Sequence, residues 1–225
     1  MSAVATFEAE RQAMVEQQLR ARGIRDPRVL EAMSTVLRHE FVPPESAFAA
    51  YEDRALPIGE WETISQPYIV ALMTEAAAVR PGDCILEVGT GTGYQAAVLS
   101  HLGAQVHTIE RNPALAQAAR ARLERLGYGD SVEVLTGDGS RGYPPAAPYD
   151  AILVTAAAPQ APQALLDQLA DGGRLVVPIG SRMEQELQLI VKAGDRVRTH
   201  ALTACQFVPL IGEQAWPKGS RSWLF

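Results

Sequence analysis

From residue 81 onward, short apolar segments alternate with segments of helical periodicity, and this alternation constrains the fold more than any other feature of the chain. The apolar segments predict strands at 84–88, 105–110, 132–136, 151–155 and 174–178. The intervening patterns predict helices at 94–102, 113–126 and 162–169. Because strands that alternate with helices form a parallel sheet covered on both faces, we expect a doubly wound, mostly parallel α/β fold.

The sequence also predicts how this sheet ends. Asp171-Gly172-Gly173 predicts a turn in front of the strand at 174–178. Residues 187–192 and 198–207 predict a closing antiparallel pair, with Gly194-Asp195 at its turn.

The N-terminal part of the chain predicts helices rather than more sheet. Helical spacing over 7–21 ends at Gly23, and Asp26-Pro27 is typical of the start of a second helix. Prolines keep residues 56–59 extended or looped. We therefore expect an N-terminal helical addition in front of the sheet.

Pro67 is typical of the first turn of a helix over 68–79, with Ser65 or Gln66 as its cap. The whole chain then divides into three parts. We expect a helical annex with an active-site loop at 1–80, a ligand-binding sheet domain at 81–212 and a C-terminal tail at 213–225.

Composition limits the classes of function. The chain has 225 residues, 47% of them hydrophobic, which suffices for one substantial core but not for two full domains. Its formal net charge of −6 argues against a nucleic-acid binder, because phosphate binding needs clustered Lys and Arg. The sequence begins with no basic leader and has no apolar run of about 20 residues, so we expect a cytoplasmic protein without a membrane partner.

Cysteine and histidine usage indicates neither a disulfide nor a metal centre. Cys84 and Cys205 both lie in strand-like apolar contexts, which favours free thiols. The four histidines are scattered along the chain, so we expect no metal site.

Residues that directly follow the strands are the candidates for chemistry, because open α/β sheets bind ligands beyond the carboxyl ends of their strands. The first predicted strand is followed by a G-x-G-x-G turn at 89–93, where backbone N–H groups can approach a ligand. Tyr94 stands where a dinucleotide-binding turn needs its third glycine. This difference favours S-adenosylmethionine over NAD.

Two further strand ends complete a possible nucleoside site. Glu110 ends the second strand and can accept hydrogen bonds from both hydroxyls of a ribose. Asp138, between Gly137 and Gly139, follows the third strand and can accept a hydrogen bond from the amine of adenine. It can equally form an Asx turn. The three strand ends together, in this order and spacing, predict a nucleoside site.

Several segments of the chain match the pattern of one enzyme family. They are Thr-Ile-Ser-Gln-Pro at 63–67, the glycine turn at 87–94, Gly-Asp-Gly at 137–139, Pro-Tyr-Asp at 148–150, Val-Thr-Ala-Ala at 154–157 and Phe-Val-Pro-Leu at 207–210. By these segments the chain resembles the protein-L-isoaspartate O-methyltransferases from about residue 22 to residue 210. The resemblance implies a Rossmann-like fold of the class I S-adenosylmethionine-dependent methyltransferase type. It also implies a monomer that methylates isoaspartyl and D-aspartyl residues of damaged proteins.

The resemblance also implies roles for individual residues. It makes Ser65 the catalytic residue near the transferred methyl group. The other positions that it assigns to the cofactor, with Ser65 shared between the two roles, are Thr63, Ile64, Glu87, Gly89, Thr90, Gly91, Glu110, Asp138 and Gly139. An extended peptide would bind along 57–66 and 206–212, with contacts from Ile58, Trp61, Val208 and Pro209.

The chain departs from the family pattern at two places. Trp61-Glu62 stands where the family usually has Gly-Gln, which puts a bulky ring and a carboxylate at the mouth of the pocket. A negative charge beside an anionic substrate weakens binding by about 1 kcal/mol when both groups stay solvated about 4 Å apart. Gln206 replaces an Arg that bacterial members commonly carry before Phe-Val-Pro-Leu.

Three other functions compete with this interpretation. A methyltransferase of the same fold could modify a dedicated aspartate in one peptide or protein, and the change at Trp61-Glu62 favours it. A non-catalytic cofactor-binding adaptor is disfavoured because Ser65, Glu110 and Asp138 are intact. A nicotinamide dehydrogenase is disfavoured by Tyr94 and by the lack of a separate substrate domain.

Overall fold

The computed structural model describes residues 3–217 and 219 of the chain, with side chains from residue 7 onward. The α-helices are α1 (Ala3–Ala13), α2 (Pro27–Thr35), α3 (Pro67–Ala77), α4 (Tyr94–His101), α5 (Pro113–Arg125) and α6 (Gln163–Asp167). The strands are β1 (Leu56–Gly59), β2 (Glu62–Ile64), β3 (Cys84–Val88), β4 (Gln105–Glu110), β5 (Val132–Thr136), β6 (Tyr149–Val154), β7 (Leu169–Gly180), β8 (Gln185–Ala193) and β9 (Arg196–Cys205).

The main sheet has seven strands in the order β5-β4-β3-β6-β7-β8-β9. Strands β3 to β7 run parallel to their neighbours, and β8 and β9 close the sheet in antiparallel pairing. This arrangement confirms the predicted doubly wound, mostly parallel sheet with its closing hairpin. From β3 the chain winds outward first to β4 and β5 and later to β6 and β7. The carboxyl ends of β3 and β6 therefore flank the point where such sheets bind ligands.

The predicted turn at 171–173 is wrong. Strand β7 begins at Leu169 and runs through these residues to Gly180. It accommodates them by an irregularity, because Tyr149 of β6 faces Leu169 whereas Ala151 faces Arg174. Such a bulge bends a strand without ending it. The preceding helix is correspondingly shorter than predicted and covers only Gln163–Asp167.

The predicted helical addition at the N-terminus is confirmed. Helix α1 continues through a π-helical stretch, Met14–Leu19, and a 3₁₀ turn, Arg20–Arg22, and it stops at Gly23 in the left-handed conformation. Asp26 caps α2, since its side chain accepts a hydrogen bond from the backbone N–H of Arg28. Buried apolar side chains of this annex share one core with the helices that cover the sheet; among them are Met14, Leu19, Met33, Phe41, Tyr94 and Val98.

The segment between the annex and the sheet forms a small hairpin, in which β1 and β2 pair antiparallel. Helix α3 follows it with Pro67 in its first turn, as predicted. The cap residue of this helix is one of the two predicted, although it makes no side-chain cap bond. Gln66 occupies the cap position, but its side-chain amide donates to the carbonyl of Asp53 at 3.0 Å.

Two observations bear on the classes of function. In the described part of the chain, none of the helices combines the length and the apolar character that a membrane span requires. Nor do residues 3–217 and 219 place three or more His, Cys, Asp or Glu side chains together as a metal site would need. Cys84 and Cys205 are free thiols, as predicted.

Candidate active site

A cavity of about 800 Å³, its open mouth included, lies at the carboxyl ends of β3, β4 and β6. The annex hairpin covers one side of it and the segment after β9 covers another. This volume falls in the range of small-molecule sites. The cavity brings together most of the residues that the sequence singled out; among those lining it are Thr63, Ile64, Ser65, Glu87, Gly89, Thr90, Gly91, Glu110, Gly139, Val208 and Pro209.

The glycine turn after β3 has the shape that only glycines allow. Gly89, Gly91 and Gly93 all adopt positive φ angles, of 98°, 52° and 90°. At Gly89 a Cβ atom would overlap the hydroxyl of Thr155, which donates to the carbonyl of Gly89 at 2.6 Å. At this point the cavity is therefore lined by the backbone of the turn and by Thr155, which bridges β3 and β6.

Glu87 lies in β3 and is a fully buried carboxyl group in the lining of the same cavity. Its Oε2 accepts a hydrogen bond from the hydroxyl of Thr108 at 2.6 Å. Since Thr108 has only one hydroxyl proton, the 2.7 Å contact between Thr108 and Thr90 has Thr90 as its donor. Glu87 Oε1 has no donor among residues 3–217 and 219. Burial, opposed by the Thr108 bond and assisted by the charge of Glu110, raises the pKa of Glu87 to about 8.

Glu110 lines the same cavity in a different environment. Its two carboxylate oxygens accept hydrogen bonds from the backbone N–H groups of Gly91, at 3.0 Å, and Asn112, at 2.9 Å. Each oxygen keeps a free lone pair. The two acidic side chains are therefore not equivalent, because one is buried with a raised pKa and the other is stabilised by backbone donors.

Asp138 is not part of the cavity lining. It forms the Asx turn that was its alternative interpretation, since its Oδ1 accepts from the backbone N–H and the hydroxyl of Ser140 at 3.0 and 2.7 Å. Its Oδ2 accepts from the backbone N–H of Glu213 at 2.8 Å. Its neighbour Gly139 does line the cavity, and a Cβ atom there would come within 2.5 Å of Val88 Cγ1. A contact of Asp138 with adenine stays a prediction.

Ser65 lies between two cavities. A second cavity of about 660 Å³ extends from it toward Ala55, Gln66 and Gln206. The residues that line both cavities are Thr63, Ser65, Thr155 and Val208. The backbone carbonyl of Ser65 accepts a hydrogen bond from the guanidinium of Arg38 at 2.7 Å. Within the described part of the chain, its hydroxyl has no hydrogen-bond partner.

Two predicted substrate contacts lie outside both cavities. Ile58 packs against the outside of the glycine turn, where its Cδ1 would lie 3.6 Å from a Cβ atom on Gly91. Trp61 lies at the tip of the annex hairpin with 62% of its surface exposed. The hairpin tip is tied to the start of α5, since the side-chain amide of Asn112 donates to Glu60 at 3.2 Å. Ile58 and Trp61 therefore border the site from the outside.

Some residues of the site had no role in the sequence analysis. Thr155 directly follows β6, so the rule that candidates follow the strands could have identified it. Gln95 lines the cavity with its side-chain amide donating to Thr74 at 2.9 Å. Arg38 is far from the glycine turn in the sequence, and nothing in the pattern around it indicates a contact with Ser65.

Comparison with known proteins identifies the family. The family profile for protein-L-isoaspartate(D-aspartate) O-methyltransferase matches residues 9–215. The chain belongs to this family. A protein-L-isoaspartate O-methyltransferase of Methanoculleus marisnigri is 57% identical over 207 residues, which are 92% of this chain and 94% of that protein. One of Roseiflexus castenholzii is 54% identical over 210 residues, which are 93% of this chain and 95% of that protein.

Solved structures of the family share the fold. A protein-L-isoaspartate O-methyltransferase superposes with a TM-score of 0.81 at 30% identity, over 91% of this chain and 67% of that one. A Plasmodium falciparum protein of the family, solved in complex with S-adenosyl-L-homocysteine, superposes with a TM-score of 0.77 at 25% identity, over 89% and 98% of the two chains. The fold is therefore that of the class I methyltransferases, as predicted.

Trp61 stands where the family pattern usually has glycine. The backbone of this protein at that position has a conformation that favours glycine. Gly59, Glu60 and Trp61 have consecutive positive φ angles of 88°, 54° and 62°. A left-handed conformation costs a residue with a Cβ atom roughly 1–2 kcal/mol. The hairpin tip of this protein is therefore strained at Glu60 and Trp61.

We expect Trp61→Gly to be more stable than Trp61→Ala by about 1 kcal/mol, because both variants lose the ring and only glycine relieves the backbone. Chemical denaturation of the two variants measures the difference in the free energy of unfolding. An alanine variant that equals or exceeds the glycine variant in stability would contradict the strain at this position.

Proposed function

We propose that the protein transfers a methyl group from S-adenosylmethionine to the side-chain carboxylate of isoaspartyl and D-aspartyl residues in damaged polypeptides. One observation carries this proposal. The cavity with the glycine turn and the acidic strand ends meets a second cavity at Thr63, Ser65, Thr155 and Val208. A methyl donor in the first cavity and a peptide in the second would have their reacting atoms on either side of Ser65.

The residues of the first cavity fit the cofactor. Glu87 Oε1 is a buried acceptor without a donor in the described residues, and an ammonium group such as that of the methionine end would provide one. The free lone pairs of Glu110 suit the ribose hydroxyls. Gly139 packs closely against Val88 in the lining of the cavity, where a flat ring would lie against the two residues. We accordingly assign Glu87, Gly89, Thr90 and Gly91 to the methionine end, Glu110 to the ribose, and Asp138 with Gly139 to the adenine.

When bound, S-adenosylmethionine would supply a sulfonium methyl group for transfer to a carboxylate oxygen, with the electron pair of the S–CH3 bond remaining on the sulfur of a neutral thioether. Because a carboxylate is already ionised at neutral pH, the protein needs no general base. Among the described residues, neither cavity is lined by a histidine. Ser65 would orient the carboxylate through its free hydroxyl, and the enclosed site would hold it in attack geometry.

The product determines the biological role that we propose. A methyl ester has a better leaving group than a free carboxylic acid. The neighbouring backbone amide nitrogen therefore attacks the ester carbonyl and expels methanol, which closes a succinimide. Hydrolysis of the succinimide returns part of the chain to normal aspartate, so the reaction initiates repair.

The second cavity is lined by residues between positions 55 and 69 and by residues 204–208, which supports a polypeptide substrate lying along these segments. We propose that an extended peptide lies along 57–66 and 206–212, in contact with Val208 and Pro209 inside and with Ile58 and Trp61 at the rim. Binding through the backbone would give broad sequence tolerance. We further propose that residues 1–80 act as the substrate-side annex of a monomeric, cytoplasmic enzyme that does not bind nucleic acid, in line with its net charge of −6.

We expect transfer of labelled methyl groups to an isoaspartyl peptide and not to the aspartyl peptide of the same sequence. Ser65→Ala should lower kcat by about 10-fold to 100-fold through the loss of orientation. Ser34→Ala, which removes a surface hydroxyl bonded to Glu31, serves as the matched control. Equal methylation of both peptides would favour an enzyme for a dedicated aspartate instead.

A second prediction concerns pH. With the pKa of Glu87 raised to about 8, the empty site holds a proton on this group at neutral pH. A bound ammonium favours the ionised carboxylate and lowers its pKa, so binding releases the proton. The affinity for S-adenosylhomocysteine should therefore weaken as the pH falls from 8 to 6, by up to tenfold per pH unit.

Isothermal titration calorimetry in buffers of different ionisation enthalpy would measure the proton released on binding. Glu87→Gln, which keeps the shape but cannot ionise, should bind more weakly and lose the pH dependence between 6 and 8. A wild-type affinity that is constant over this range would rule out the role of Glu87 as the partner of the ammonium.

A further inference from the structure

Arg38 is a buried cation for which the fold provides no buried anion. It lies in the 3₁₀ turn Arg38–Phe41 of the annex, and its side chain is completely inaccessible to solvent. No Asp or Glu among residues 3–217 and 219 forms an ion pair with it. Burial lowers its pKa to about 10, so the side chain stays charged at neutral pH. Burying an unpaired cation is costly, which makes its contacts informative.

The contacts of the Arg38 guanidinium are directional and converge on the active-site loop. Its Nε donates to the carbonyl of Ala50 and its Nη2 to the carbonyl of Ser65, both at 2.7 Å. Its Cζ lies 4.9 Å from the ring centre of Tyr94, which lines the cofactor cavity. Arg38 itself lines neither cavity. It therefore acts on the site only through other residues.

The contact between Arg38 and the carbonyl of Ser65 bears on the orientation of Ser65. Its hydroxyl has no hydrogen-bond partner within the described residues, so the side chain is directed by the backbone alone. The next residue, Gln66, has φ −51° and ψ 138°, and Pro67 then starts α3. The Arg38 bond restrains the plane of the peptide that joins Ser65 to Gln66, and with it the backbone from which the Ser65 side chain projects.

We propose that Arg38 is a positioning residue for methyl transfer, which holds the Ser65 peptide so that the Ser65 hydroxyl meets the substrate carboxylate. This inference rests on the proposed function. It gives the annex a part in the chemistry. The planar guanidinium of Arg38 binds the carbonyls of Ala50 and Ser65, which precede and follow the annex hairpin in the sequence.

A double-mutant cycle tests the proposal. The variants are Arg38→Met, Ser65→Ala and the double variant, with kcat and KM for an isoaspartyl peptide as the readouts. Arg38→Met should lower kcat about tenfold or more, since a small misplacement suffices for such a loss. In the Ser65→Ala background, the same change should lower kcat less than about twofold, because two residues that act through one interaction are not additive.

Arg38→Lys retains the charge and an N–H donor group but not the planar fork that reaches both carbonyls, so its kcat should lie between those of the wild type and Arg38→Met. Should Arg38→Met fail to fold, the cycle is carried out with Arg38→Lys under the same criterion. Calorimetric titration with S-adenosylhomocysteine should show that folded Arg38→Met and Arg38→Lys bind it with the affinity of the wild type. Arg120→Met is the matched control, since Arg120 also donates to a backbone carbonyl, that of Val134 at 2.6 Å, away from both cavities.

Equal losses of kcat with and without the Ser65 hydroxyl would overturn the proposal, and so would a wild-type kcat in Arg38→Met. Failure of the proposed function would look different. In that case the wild type and Arg120→Met would both leave the isoaspartyl peptide unmethylated.

Discussion

The burial of Glu87 at the end of β3 is the constraint on which the rest of the site depends. A carboxyl group in the middle of a sheet needs hydrogen-bond donors, and the hydroxyls of Thr90 and Thr108 form a chain that supplies one of its oxygens. The other oxygen has no donor in the described residues, and the pKa of the group rises to about 8. Glu110, one strand away, is instead stabilised by backbone N–H groups. The cavity can thus hold two acidic side chains without two buried charges, and it is suited to a ligand that brings a cation.

The two halves of the site have different origins in the chain. The strand ends and the glycine turn form the first cavity, and they are local consequences of the parallel sheet. The annex hairpin and the segment after β9 close this cavity and form the second one. Ser65 lies where they meet, and the annex holds it through Arg38. The helical addition therefore contributes to the lining of the candidate site as well as to the core.

The annex hairpin also shows where this protein differs from the pattern of its family. Glu60 and Trp61 retain a left-handed backbone that suits glycine, and the ring of Trp61 is exposed beside the site. Strain of this kind tends to be retained at functional positions. Glu60 and Trp61 thus combine a left-handed backbone with an exposed ring at the rim of the candidate site.

The sequence by itself determined the parallel sheet, its closing hairpin, the helical addition, and the turn at 89–93 with Glu87 and Glu110, because these follow from local periodicity and from residues next to strand ends. It failed at 171–173, where β7 pairs with β6 on both sides of an irregularity that contains two glycines typical of a turn. Only the tertiary structure decided the environment of Asp138, the position of Trp61 outside the cavities and the contact of Arg38 with Ser65. Each of these depends on segments that are distant in the chain, and no local pattern encodes which distant groups will meet.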